Sequence, residues 1–201
     1  SKPNKTRNLI LGIVLGLFGG VGFAFFIEYL DNTVKSSQEL EDRFGVTVLG
    51  TIEELKDHKS NIDTFIAEKP LSPMAESYRL IRSGLLLSSA EHPPKTMLIT
   101  SMNAQEGKTS TTANLARILA QSGSTVIVVD CDLRRPRMHE VLGVTSKIGL
   151  SSYLTGAEAK GFIHRVPDTT MYVITSGPIP PSPAELLGSA KMKDFLNTLS
   201  G

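Results

Sequence analysis

Thr96–Gly123, TMLITSMNAQEGKTSTTANLARILAQSG, is the stretch whose reading decides the fold. Thr96–Thr100 is a short apolar run that predicts a buried strand. Ala113, Leu115, Ala116, Leu119 and Ala120 then recur at helical spacing, and Gly123 closes the pattern. Between them stands Gly107-Lys108-Thr109. A strand, a loop carrying Gly-Lys-Thr, and a helix are the context a phosphate-binding loop needs. Backbone N–H groups near Glu106, Gly107 and Lys108 would face phosphate oxygens at a helix N-terminus. Lys108 can reach the β- and γ-phosphates of ATP as a mobile point charge. Thr109 offers a hydroxyl to Mg²⁺, a hard ion that prefers oxygen. Ser110 completes the candidate binding set Glu106, Gly107, Lys108, Thr109 and Ser110. The match to G-x-x-x-x-G-K-[ST] is imperfect, because Met102 occupies the first glycine position.

The next apolar run, Thr125–Asp130 (TVIVVD), ends in a carboxylate, and Cys131, Asp132, Leu133, Arg134, Arg135 and Pro136 follow. In an open parallel sheet, ligands sit beyond the C-terminal ends of the strands. Asp130 comes one helix after Lys108, so a right-handed crossover brings the two to the same sheet edge. Asp130 and Asp132 share a side if the strand geometry continues. Two carboxylates beside a phosphate loop suggest a Mg²⁺ ligand and a group that takes a hydroxyl proton, so Lys108, Asp130 and Asp132 are the catalytic candidates and Thr109, Asp130 and Asp132 the metal candidates. The simpler reading of Asp130 taken alone is a helix cap, which the Asp-x-Asp-x-Arg pattern in this place disfavours. Cys131 faces the other way and reads as packing. The fold class is therefore α/β: a P-loop NTPase-like parallel sheet flanked by helices, incomplete in this chain. Its strands are expected at 96–100, 125–130 and 170–174, within a domain at 71–201.

Working outward, Ser72-Pro73 is a helix start, with a capping hydroxyl and proline at the first helical position. In that helix Glu76, Arg79 and Arg82 lie along one side, which by spacing alone is an ordinary charged face. Ser36–Phe44 reads as a short polar helix stopped by Gly45, Val46–Ile52 as a short strand, and Lys56–Asn61 as a charged linker. Leu9–Ile27 is an uncharged run of 19 residues, about 28 Å long as a helix at ~1.5 Å per residue. That matches a hydrocarbon core of about 30 Å and predicts a membrane span. It is longer than a signal-peptide core, and no small-x-small cleavage site follows it. Gly12, Gly16 and Gly20 fall on one face, as in packed membrane helices, and read equally as the glycine common in any membrane helix. Lys2, Lys5 and Arg7 precede the span and acidic residues follow it, so charge alone would put the N-terminus in the cytoplasm.

Composition limits the rest. The chain has 201 residues and a formal net charge of +1, which excludes a generally basic nucleic-acid binder. Forty per cent hydrophobic residues argue against intrinsic disorder. One cysteine excludes a disulfide scaffold. The four histidines (His58, His92, His139 and His164) stand at no ligand spacing. The chain opens on Ser1 rather than Met, as a processed chain or a piece of a longer one would.

Taken together, these motifs resemble those of the bacterial tyrosine kinases fused to a polysaccharide co-polymerase membrane domain. NLILGIVLGLFGGVGFAFFIEYLDNTVKSSQELE resembles the last membrane helix of the co-polymerase and its cytoplasmic exit, and VTVLGTI the linker after it. ITSMNAQEGKTSTTANLA resembles the Walker A loop, VIVVDCDLRRP the Walker A-prime motif, and GPIPPSPAELLGS the Pro-rich loop that follows later. Glu76-x-x-Arg79-x-x-Arg82 matches the family's oligomerisation motif. The resemblance implies ATP- and Mg²⁺-dependent phosphorylation of tyrosines, mainly the protein's own, in control of exopolysaccharide or capsule synthesis and chain length. It implies a ring-like homo-oligomer in the bacterial inner membrane that works with the polysaccharide export and polymerisation machinery and binds no nucleic acid. It also reverses the charge-based orientation. Residues 1–8 become a periplasmic tail, 9–30 the transmembrane helix, 31–70 a cytoplasmic juxtamembrane linker, and 71–201 the N-terminal part of the kinase domain.

The chain departs from the family pattern. Ala104 and Gln105 stand where members often carry Pro-Gly, which bears on loop stiffness and nucleotide affinity. MYVITSG at 171–177 has a strand pattern but no Walker B aspartate, and no C-terminal tyrosine cluster is present. These departures lead us to expect a C-terminally truncated chain that is inactive alone. Two other readings stand beside this one. A partition or septum-site ATPase would carry an extra lysine where Asn103 stands. A non-catalytic chain-length regulator would keep a degenerate nucleotide domain.

Overall fold

The computed structural model describes residues 4–31, 33, 36–55, 61–88, 94–157 and 161–200. Lys2, His58, His92 and most of the charged linker at 56–61 lie outside the described residues. The chain divides into two compact units, Ser1–Val48 and Leu49–Gly201.

The first unit is helical. Helix α1, Lys5–Leu30, buries no residue and is long and apolar enough to cross a membrane by length and composition. Helix α2, Ser37–Phe44, follows its sequence signals closely. The Ser36 hydroxyl accepts the Glu39 N–H, and Gly45 ends the helix in the left-handed region at φ 62°.

The second unit is layered. Its helices are α3 (Phe65–Glu68), α4 (Pro73–Leu87), α5 (Lys108–Gln121), α6 (Met138–Leu142), α7 (Leu150–Thr155), α8 (Pro183–Leu187) and α9 (Ala190–Ser200). Its strands are β1 (Val126–Val129), β2 (Ile163–Arg165) and β3 (Met171–Ile174). The sheet order is β1-β3-β2, with β1 and β3 parallel, Val128 opposite Val173, and β2 antiparallel at the edge. The expected parallel pair is present, and β2 makes the sheet mixed. Strand alternation then sorts the layers. Val128, Met171 and Val173 pack with Ala113, Ala116 and Ala120 of α5 and with Met138, Val141 and Leu142 of α6. Ile174 turns to the opposite face and packs with Leu150, Leu154, Met192 and Phe195 of α7 and α9. The small alanines of α5 let that helix lie close to the sheet. Its other side, Leu115, Ile118 and Leu119, packs on α3 and α4 through Phe65, Ile66, Met74 and Tyr78.

Two expected strands do not form ladders with the described residues. Residues 96–100 are not in a sheet: Ile99 packs on the α4–α5 cluster, but Leu98 is 86% exposed. The run is apolar enough for a buried strand, yet only one of its faces is covered. Residues 46–52 likewise have no ladder. Their close neighbour is a helix, since a Cβ on Gly50 would lie 2.7 Å from Ile81 Cγ1 of α4. The segment 49–70, read from the sequence as linker, contributes Ile52, Leu55, Phe65 and Ile66 to the core.

Candidate nucleotide site

The site forms where the N-terminus of α5 meets the C-terminal end of β1. The loop at 101–107 is shaped by its own side chains. Asn103 donates its backbone N–H (3.0 Å) and its side-chain amide (2.8 Å) to Glu106, and the Ser101 hydroxyl donates to the Asn103 carbonyl at 2.9 Å. The Asn103 amides hold the exposed Glu106 carboxyl below its ordinary value, with Lys108 adding a smaller pull. Gln105 and Gly107 both adopt positive φ, 66° and 79°. Reversals of this kind turn backbone N–H groups toward a common point and make an anion-binding concavity. Gly107 is the N-cap of α5, and Lys108 and Thr109 are its first residues. Helix polarity adds partial positive charge there.

The second half comes from β1. The Asp130 N–H donates to the Ile174 carbonyl at 2.9 Å, extending the ladder one residue past the strand. The Asp130 carboxylate is buried and accepts the N–H of Asp132 (3.1 Å) and of Met138 (3.3 Å). It therefore caps the turn and the start of α6, as the simpler reading of that residue expected. Burial pushes its carboxyl above the ordinary value, against the pull of those two N–H groups. Asp132 is the opposite case. Burial alone would raise it, but the N–H groups of Arg135 and Arg134, together with Lys108, hold it below the ordinary value. The Lys108 ammonium lies 3.4 Å from Asp132 Oδ2, with both side chains about 30% exposed. Residues 24 apart in sequence thus meet across two elements.

The candidate residues do not all face the same way. Lys108 and Asp132 are in contact, Thr109 is half-buried in the same helical turn, and Glu106 and Gly107 line the loop. The Ser110 side chain is buried and its hydroxyl donates to Asp63, which leaves the site only its backbone N–H. Asp130 is held by backbone at both oxygens. Cys131 packs with the α7–α9 cluster, and burial raises its thiol to about 11, as expected of a packing residue. Glu76, Arg79 and Arg82 lie on α4. The Arg79 guanidinium donates to Glu76 at 2.9 Å and to the Pro70 carbonyl at 2.7 Å. Two residues that sequence reasoning missed, Asp63 and Arg137, are joined at 3.0 Å and reach the first turn of α5. No local spacing signals a pair 74 residues apart.

Such a site suits an anion with oxygen donors beside it. A family model for the CobQ/CobB/MinD/ParA nucleotide-binding domain matches residues 97–199. The tyrosine-protein kinase Etk of Escherichia coli (strain K12) is 31% identical over 215 residues, 97% of this chain and 30% of that protein. The tyrosine-protein kinase YwqD of Bacillus subtilis (strain 168) is 39% identical over 128 residues, 63% of this chain and 54% of that protein. The solved kinase domain of Escherichia coli tyrosine kinase ETK superposes with a TM-score of 0.73 at 30% identity, covering 84% of this chain and 69% of that one. The chain therefore spans about a third and about half of the two curated relatives.

Proposed function

Because the chain belongs to the CobQ/CobB/MinD/ParA nucleotide-binding family, among the bacterial tyrosine kinases, we propose that its whole protein is an ATP-dependent protein-tyrosine autokinase acting in exopolysaccharide or capsular polysaccharide synthesis and chain-length control. The observation that carries this reading is the Lys108–Asp132 contact at the N-terminus of α5. A phosphate entering the loop displaces Asp132 from Lys108 and takes over the ammonium. The released carboxylate, held ionised by the Arg134 and Arg135 N–H groups, is then free beside the phosphate. Mg²⁺, if held there, would supply neutralisation of the charge that develops in phosphoryl transfer. Among the candidates, the Thr109 hydroxyl and Asp132 suit that ion, a hard cation satisfied by oxygen. Asp130 supports the turn that presents Asp132, and Asp132, the more exposed of the two carboxylates, is the one suited to activate a tyrosine hydroxyl.

The same reading gives α4 a role in self-association. Glu76, Arg79 and Arg82 share that helix with Leu80 and Leu87, which are 62% and 79% exposed two turns apart. Arg forks and an adjacent apolar stripe suit a directional subunit contact in a ring. Helix α1 suits an anchor in the bacterial inner membrane, with residues 31–201 on the cytoplasmic side where ATP is. The polysaccharide polymerisation and export machinery is the partner.

The decisive test is Lys108→Met in the full-length protein. It removes the charge at the β- and γ-phosphates, where electrostatic stabilisation of the transfer is largest. Autophosphorylation on tyrosine should vanish while the protein stays in the membrane fraction. Undiminished phosphotyrosine in this variant refutes the kinase reading.

A further inference from the structure

Asp63 lies in the turn before α3, far in sequence from the phosphate loop, yet it is only 7% exposed. Its Oδ1 accepts the Ser110 hydroxyl, in the first turn of α5. Its Oδ2 accepts Nη2 of Arg137, the residue just before α6, at 3.0 Å. The turn is itself held in place. Asn61 Oδ1 accepts the Asp63 N–H at 3.0 Å, and the Asn114 side-chain amide donates to the Ile62 carbonyl at 2.9 Å. Ser110 and Asn114 are four residues apart, so both face this turn from one side of α5. A carboxylate this buried persists as a charge only when it is paired and hydrogen-bonded, and both of its oxygens are engaged.

Two bridges therefore join the start of α5 to the segment between β1 and α6. Lys108–Asp132 is part-exposed and uses the two groups that a nucleotide and its metal would claim. Ser110–Asp63–Arg137 is buried at its centre and uses neither Lys108 nor Asp132. We infer that Asp63 is a positioning residue for the nucleotide site: by tying Ser110 to Arg137, it sets the separation of Lys108 and Asp132 whether or not Lys108 is paired with Asp132. The inference rests on the nucleotide reading above. It also makes the turn at 61–64, upstream of the phosphate loop, part of the apparatus that shapes the site.

Two readouts on the full-length protein in detergent test it. The variants are Asp63→Asn, which keeps side-chain volume and one acceptor oxygen, Arg137→Gln, and the two combined. Each single change should weaken Mg²⁺-ATP binding about tenfold by titration calorimetry, as expected for a lost charge-assisted hydrogen bond. The double variant should be no weaker than the weaker single, because both changes cut the same bridge. Affinities within twofold of wild type, or losses that multiply in the double variant, overturn the inference. The second readout needs no nucleotide. Amide hydrogen exchange in Asp63→Asn should speed up at 108–112 and at 131–137 while Val126–Val129 stays protected, and unchanged exchange at the first two segments overturns the inference as well. If the wild-type protein binds no ATP, the nucleotide reading fails, and the exchange result still decides whether Asp63 positions the two segments. Faster exchange throughout the second unit, β1 included, would mark Asp63 as a general stability residue and also reject the positioning role.

Discussion

At the scale of single residues, the loop shows a local cost that glycine would remove. Gln105 holds φ 66°, a left-handed conformation that costs a side-chain-bearing residue about 1–2 kcal/mol. Glycine adopts it freely but gives up some of that advantage as chain entropy in the unfolded state. Gln105→Gly should therefore stabilise the protein by about 1 kcal/mol in chemical denaturation. No gain, or a loss, would mean that the Gln105 side chain makes compensating contacts. Asp130 makes a pH prediction of definite sign. Its folded-state proton affinity is raised by burial, so between the ordinary carboxylate value and the raised one the folded state binds more protons than the unfolded chain. Stability then falls as pH rises through that window. Asp130→Asn has no such titration. The urea midpoint of wild type should drop relative to the variant as pH rises above the ordinary carboxylate value of about 4. Parallel pH profiles would show that the carboxylate is not desolvated. Asp132, held below its ordinary value, works the other way: it contributes stability at neutral pH that is lost as acid protonates it.

At the scale of elements, α4 separates intrachain from interchain work. The Glu76–Arg79 pair is half exposed, and pairs of that kind contribute only about 0.3–0.5 kcal/mol. Tyr78 and Ala75, on the buried side of the same helix, are 1% and 0% exposed and hold it against α5. Replacing Glu76, Arg79 and Arg82 together by Ala should leave the far-ultraviolet dichroism and thermal midpoint nearly unchanged. Self-association should fall, read as a smaller mass by light scattering. An unchanged mass would return these residues to an ordinary charged helix face. The contrast with α7 is physical. Its start is pressed so tightly onto the segment that follows β3 that a Cβ on Gly149 would collide with the Thr175 carbonyl oxygen and the Gly177 nitrogen. The Leu150 and Ser151 N–H groups donate to the Thr175 and Ser176 carbonyls, each at 2.8 Å. One helix is fixed to the sheet by backbone contacts, whereas the other carries an ion pair on its outer side.

At the scale of the whole molecule, the two units present different surfaces. Leu9, Phe18, Phe25 and Ile27 on α1 are all more than half exposed. Apolar surface of that extent is stable in hydrocarbon and costly in water. The chain should sediment with membranes and resist alkaline carbonate extraction, and deletion of residues 1–30 should release the remainder to the soluble fraction. Release of the intact chain by carbonate would exclude a span. The second unit buries its apolar residues in three clusters, two on opposite faces of one small mixed sheet and one between α5 and α3–α4.

Local signals were enough for the features that depend on few neighbours. Ser72-Pro73 and Ser36 set helix starts because a cap is made within one turn. The apolar length of α1 needed no tertiary partner, and Gly107-Lys108-Thr109 marked the start of α5, the candidate anion site, because a helix N-terminus carries its own polarity. The pairing of Lys108 with an aspartate beyond the next strand was legible because α5 runs away from the site and β1, joined to it by a short turn, runs back to it. Tertiary structure decided the rest. Strands need partners, so the apolar runs at 46–52 and 96–100 looked like strands and formed no ladder with the described residues, while Ile163–Arg165, too short and half exposed, became one beside β3. Asp130 and Asp132, two residues apart, had one role from sequence and took two, because one sank under α6 and the other stayed beside Lys108. Asp63 carried no signal at all. Its importance arises only when the folded chain brings Ser110 and Arg137, 47 and 74 residues away, against one buried carboxylate, where low dielectric makes each hydrogen bond to that charge count for more.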